Sequence, residues 1–206
     1  MPTAATPDIR RTRGQITEAA DRLFYEQGFG HTSFADVAGA VGISRGNFYH
    51  HFKSKDDILA AVIEGRLERT RALLQAWEAQ ACTPIERLHC FVQMLLDNQP
   101  HILAHGCPVG TLCGELAKLD HPALEQANGL LVLFRDWLRQ QFEAMGRTAE
   151  ADALALHLLA RAQGVAAVAH ALRSEAFVRA EVYELQAWLT AQQASGSSLA
   201  GARAST

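Results

Sequence analysis

Apolar residues recur at spacings of three and four along most of the chain, and runs of alternating β-branched residues are missing, so the pattern predicts helices throughout. A first helix is expected from about Ile9 to Gln27, with Ala19, Ala20, Leu23 and Phe24 apolar and Gly28 and Gly30 ending it. Two short helices follow. In the first, about Ser33 to Val41, the residues Phe34, Val37, Ala38 and Val41 share a buried face. Thr32 or Ser33 can cap it, and Gly42 tolerates the left-handed conformation that closes it. Ile43 plugs the turn and Ser44 caps the second, about Arg45 to Phe52, in which Phe48 and Phe52 lie four apart and face inward. Ser54 is a good cap for a long helix from Lys55 to about Ala79, and Asp56 and Asp57 suit its positive end.

The remaining punctuation sets out the rest of the chain. Thr83-Pro84-Ile85-Glu86 combines a threonine cap, a first-turn proline and a reciprocal glutamate, and Pro100 marks the approximate end of the helix it starts. His105 to Gly110 is a break before a short helix to about Leu119. His121-Pro122 opens another, ending near Gly146. Two more are expected, from Thr148 to about Arg173 and from about Ala176 to Gln193. Residues 1–8 and 195–206 are rich in small and polar residues and are expected to be a disordered arm and tail.

Two short helices across a tight turn form the helix-turn-helix pattern of a DNA reader. On that reading the second helix carries Arg45, Asn47, Tyr49 and His50 on or beside its outer face. Arginine can donate two bonds to guanine and asparagine to adenine, whereas Tyr49 and His50 suit phosphates. Lys53 and Lys55 stand where phosphate anchors are useful. Thr32, Ser33, Ser44 and Gly46 complete the candidate DNA-binding set. The same spacing also fits the solvated face of an ordinary three-helix bundle.

The formal net charge of −3 argues against a general nucleic-acid binder, but its distribution changes the picture. Through Lys55 there are seven Lys/Arg against five Asp/Glu, and beyond it twelve against seventeen. Positive charge therefore collects at the motif, Arg10, Arg11 and Arg13 included. With 49% apolar residues, a chain of 206 can bury a sizeable core as one large domain or two small ones. No apolar run reaches the length of a membrane span and no signal-peptide core is seen, so the expected location is the cytoplasm, without membrane association.

The segment Gly28-Phe29-Gly30-His31-Thr32-Ser33 through Phe48-Tyr49-His50-His51-Phe52-Lys53-Ser54-Lys55 resembles the N-terminal domain of the TetR/AcrR family of one-component repressors, over about residues 10 to 60. The resemblance implies an all-α homodimer. It further implies a three-helix helix-turn-helix domain over 9–54 and a helical ligand-binding and dimerisation domain over 55–194. By the family pattern, Arg45, Tyr49, His50 and Lys55 contact operator DNA. Asn47 departs from that pattern, standing where a small hydroxyl residue is frequent.

Two features of the C-terminal part carry functional expectations. The helix from about Ala151 is apolar over much of its circumference, so it must be buried on several sides. With the last helix it is expected to form a dimer interface through Leu158, Ala162, Val165, Ala169, Val182, Leu185, Trp188 and Leu189. A purely intramolecular core is the other reading of that pattern. The middle section is the expected sensor, with Trp77, His89, Phe91, Met94, Phe134, Trp137 and His157 as pocket candidates, although aromatic residues at helical spacing also serve as core.

Cys107 precedes Pro108 at a helix start, where a thiolate is favoured, so it is a candidate reactive nucleophile; a small buried packing residue is the alternative. Gly106, Cys107, Gly110, Leu112 and Glu115 also resemble a Gly-Cys-x-x-Gly-x-Leu-x-x-Glu signature of a subset of TetR-type regulators. Cys82, Cys90 and Cys113 fit no zinc spacing, so no metal or cofactor is expected. No catalytic triad or phosphate loop is present, so an enzyme is not expected. The expected function is a ligand-responsive repressor that binds a palindromic operator as a dimer and is released by a small organic or electrophilic inducer. The alternative is an architectural or protein-partner DNA-binding adaptor with no inducer.

Overall fold

The computed structural model describes the backbone of residues 5–203, and the side chains of 9–193 except that of Arg45. The described residues form ten helices and no strand. They are α1 (Ala5–Gln27), α2 (Phe34–Val41), α3 (Arg45–His51), α4 (Lys55–Gln80), α5 (Pro84–Asp97), α6 (Gln99–His105), α7 (Pro108–Lys118), α8 (Leu124–Ala144), α9 (Ala151–Leu172) and α10 (Glu175–Arg203). The all-α expectation therefore holds.

The chain divides into two compact units, but not where the sequence places the boundary. One comprises Met1–Arg69 with Pro108–Gly129, the other Thr70–Cys107 with Leu130–Thr206. The expected division at residue 54 is displaced into α4, and α7 joins the N-terminal unit. Periodicity says that a helix has an inner face; it does not say which neighbour covers that face. In the first unit Ile16, Ala20, Phe24, Val37, Phe48, Phe52, Ile58, Val62 and Leu116 are buried. In the second the interior includes Leu88, Phe91, Leu138, Phe142, Leu158 and Leu185.

Within the first unit, the Arg66 guanidinium joins three elements. Its Nε lies 2.6 Å from Asp21 of α1, it donates to the carbonyl of Pro108 at the start of α7, and Arg69 also reaches Asp21. Within the second, Arg147 bonds Glu150 and the Gln192 carbonyl, and Arg161 pairs with Glu181 at 2.6 Å.

Several boundaries differ from expectation. Pro100 does not end a helix; it lies in the first turn of α6, where its missing N–H has no intrahelical partner to lose. Residues 5–8 of the expected arm belong to α1, with Pro7 in its first turn where a missing N–H costs no intrahelical bond, and 195–203 of the expected tail belong to α10. Residues 1–4 and 204–206 lie outside the described residues.

Leu158, Ala162, Val165, Ala169, Val182, Leu185 and Leu189 are buried within the single chain, and Trp188 is half-buried, with its ring against Phe142. A residue already covered by its own chain has no apolar area left to give a partner. Among the described side chains of α9 and α10, the exposed large apolar residues are Leu156, Val168, Leu172 and Tyr183.

Candidate nucleic-acid interface

The turn between α2 and α3 is built by caps. The Ser33 hydroxyl accepts from the Asp36 amide, and the Asp36 carboxylate accepts from the Ser33 amide at 2.8 Å and hydroxyl at 2.6 Å, a complete capping box. These bonds to the ionised form hold the Asp36 pKa below its ordinary value. Gly42 closes α2 at φ 72°, a left-handed conformation that glycine adopts without steric penalty. The Ser44 hydroxyl then accepts from the Asn47 amide at 3.3 Å and starts α3.

The inner face of α3 is fixed by rings. Phe34 meets Phe48 edge-on with centroids 5.2 Å apart and lies 5.7 Å from the Tyr49 ring. Arg13 of α1 places its guanidinium 4.0 Å above the Phe52 ring and donates to the His51 carbonyl at 2.6 Å. With that face anchored, Gly46, Asn47, Tyr49 and His50 are turned to solvent together. The Arg45 side chain lies outside the described residues.

Four of the candidate DNA-binding residues have other duties. Thr32 is 1% exposed and its hydroxyl donates to the Gly28 carbonyl at 2.8 Å, satisfying the end of α1. Lys55 turns inward: its ammonium donates to the Phe29 carbonyl at 2.9 Å and the Thr32 carbonyl at 3.2 Å, and lies 4.2 Å over the Phe29 ring. The Ser33 and Ser44 hydroxyls serve as caps. Lys53 is exposed, and its ammonium donates to the Tyr49 carbonyl at the end of α3. The amides of Lys53 and Ser54 both donate to Asp57 at 3.0 Å, which holds that carboxyl low and fixes the start of α4.

Two contacts of this unit escaped sequence reasoning. One is Arg13, whose partner lies in a different helix. The other is Glu115 of α7, whose carboxylate accepts from the amides of Phe29 at 2.8 Å and Gly30 at 2.7 Å. No periodicity rule links positions this far apart.

The sensor candidates do not converge. Phe91 and Phe134 are buried against each other with centroids 5.7 Å apart. Trp137 is buried, lies 5.6 Å from Trp77, and donates to Glu78 at 2.8 Å. These three are packed core, the outcome that helical spacing left open. His89 lines an open groove of about 880 Å³ with Trp77, Cys90, Gln93, Tyr183 and Thr190, and burial lowers its pKa. His157 is on a different surface, 4.9 Å from Trp188, beside a shallow groove that includes Gly164 and Phe177. Cys107 is half-buried between α6 and α7. Among the described residues no group of three His, Cys, Asp or Glu is placed to hold a metal ion, and no helix is long and apolar enough to cross a membrane.

Comparison with known proteins agrees with this geometry. Residues 16–62 match the family model described as "Bacterial regulatory proteins, tetR family". The chain is 35% identical over 90 residues to the HTH-type transcriptional regulator TtgR of Pseudomonas putida, covering 44% of this chain and 42% of that protein. It is 25% identical over 164 residues to the HTH-type transcriptional repressor DhaR of a Mycobacterium species, covering 74% and 79%. Apart from that longer alignment, the chain spans about half the length of the curated relatives it matches. The fold is that of a TetR-family transcriptional regulator from Streptomyces coelicolor, with a TM-score of 0.79 at 18% identity over 89% of this chain and 97% of that one. The match to the family model covers the helix-turn-helix, and the relatives named are transcriptional regulators.

Proposed function

We propose that the protein is a repressor that binds a palindromic operator as a homodimer through α3, and that it leaves the operator when a small organic or electrophilic inducer acts on the second unit. The observation that carries this reading is the joint exposure of Asn47, Tyr49 and His50 on a short helix whose opposite face is locked by Phe34, Phe48 and Arg13. A locked reading helix presents donors in one register, which base readout requires. Asn47 suits adenine in the major groove; Tyr49, His50 and Lys53 suit the flanking phosphates.

A palindrome calls for two reading heads. The second copy docks on the exposed apolar residues of α9, with Val168 and Leu172 at its centre. The inducer reading rests on the groove beside His89, whose volume suits a small organic molecule. Cys107 is the alternative point of action for an electrophile.

The test is selection of operator DNA from a random pool, followed by titration of the winner with variants. Asn47→Ala is expected to relax the preference at one base position in each half-site. Tyr49→Ala is expected to weaken binding uniformly across sequences and to leave the salt dependence unchanged, because the phenol carries no charge. Enrichment of scattered, non-palindromic sites would refute the repressor and favour an architectural protein. Loss of the palindrome on treatment with N-ethylmaleimide in the parent but not in Cys107→Ser would assign the response to that cysteine.

A further inference from the structure

The segment between α1 and α2 is short, yet four of its backbone polar groups are taken by two charged side chains from α4 and α7. Glu115 accepts the Phe29 amide on one oxygen and the Gly30 amide on the other. Lys55 donates to the carbonyls of Phe29 and Thr32. The Thr32 hydroxyl takes the Gly28 carbonyl. The ring of His121 meets Phe29 edge-on at 5.2 Å, with its Nε2 3.5 Å from Asp56.

The sequence makes room for this clasp. A Cβ added at Gly28 would stand 3.1 Å from a Glu115 oxygen, and one at Gly30 would stand 3.2 Å away. Gly28 also has φ +91°, which ends α1 and aims the following amides at α7. The clasped segment runs directly into the Ser33–Asp36 capping box, and so into α2 and α3. At its other end α7 is held through Arg66, which bonds both Asp21 and the Pro108 carbonyl. A carboxylate accepting two amide bonds is strong and directional. Any shift of α7 along its own axis is therefore imposed on the residues that start the reading unit.

We propose that Glu115 is a positioning residue for DNA binding: its carboxylate holds the segment 28–32, and through it α2 and α3, in the operator-competent register. This rests on the repressor reading above. Because coupling is reciprocal, operator binding must in turn tighten the clasp. A carboxylate that merely stabilised the fold would show no such response.

The experiment measures operator affinity and amide hydrogen exchange at Phe29 and Gly30 for the parent, Glu115→Gln and Gly30→Ala, each free and bound to the selected operator. Glu115→Gln keeps the shape but turns an NH₂ toward one of the amides. The expected loss of affinity is about tenfold or more, the equivalent of one charge-assisted bond. Exchange at positions 29 and 30 should accelerate while helicity and thermal midpoint stay near the parent's. In the parent, operator should slow exchange at these two amides beyond their free-state protection. Gly30→Ala leaves every hydrogen-bonding group in place and only displaces the carboxylate; a smaller loss in the same direction is expected, and this variant carries the test if Glu115→Gln does not fold.

Folded variants that bind with parental affinity would overturn the proposal, as would a parent whose amides at 29 and 30 gain no protection on operator. In both cases the repressor reading survives, because the parent still binds. A parent that selects no operator at all would overturn both.

Discussion

The Asp21–Arg66 pair offers the sharpest test of what holds the first unit together. Arg66 is 7% exposed and has three acceptors, the Asp21 carboxylate, the Asp21 carbonyl and the Pro108 carbonyl. Asp21→Ala removes the only anion among these. Arginine keeps its charge in proteins. The charge must then stay buried with two carbonyls and no anion, or be withdrawn at the expense of packing between α1, α4 and α7. Breaking a buried pair from one side costs roughly 3–5 kcal/mol. The Asp21 side chain retains 20% of its exposure, so water reaches the vacated site and the lower end, about 2–3 kcal/mol, is expected.

Replacing both partners with apolar residues, Asp21→Leu with Arg66→Met, removes the stranded charge and should recover most of that loss, leaving a coupling energy above about 1.5 kcal/mol. The assay is urea denaturation followed by circular dichroism at fixed protein concentration, with the four corners of the double-mutant cycle measured together. A single Asp21→Ala variant within about 0.5 kcal/mol of the parent would refute the argument that Arg66 depends on this anion.

Three further outcomes follow from the geometry. Asp36 and Asp57 have lowered pKa values in the fold, so their contribution is present above the unfolded carboxylate value of about 4 and is lost as pH falls through the folded values; the acid unfolding of α2 and α3, followed by amide exchange, should shift to higher pH in Asp36→Asn. His89 has its pKa lowered by burial, so the unfolded chain binds the extra proton first and stability should decline as pH drops below about 6.5; His89→Gln should flatten that part of a thermal-midpoint profile. On α9 and α10, Val168→Asp should split the dimer in sedimentation at nearly unchanged monomer stability. Leu185→Ala, fully buried, should cost about 2–5 kcal/mol; the reverse pattern would restore the interface first read from the sequence.

The parts of this molecule that depend on neighbours in sequence were legible in the sequence. The caps at Ser33, Ser44 and Thr83, the left-handed Gly42 and the inward pair Phe48 and Phe52 are all local, and each stands where spacing and turn chemistry put it. What was not legible is the choice of partner. Lys55 looked like a phosphate anchor because it is a lysine beside a recognition helix; only the fold reveals two carbonyls within its reach. The apolar residues of α9 were legible, but a helix apolar nearly all round carries no mark of which side meets its own chain, and Leu158, Ala162, Val165 and Ala169 are buried within it. The aromatic residues Phe91, Phe134 and Trp137 were equally compatible with pocket and core until their ring contacts were known.

The inclusion of α7 in the first unit bears on how such proteins can be recombined. An exchange of recognition heads between regulators, made by joining chains near residue 54, would pair one parent's α1–α2 segment with the other parent's α7. Glu115 would then face a foreign backbone, and Arg66 a foreign Asp21 position. A chimaera that keeps its ability to respond must carry 108–129 along with 1–69, so the heritable cassette is discontinuous in the gene although continuous in space.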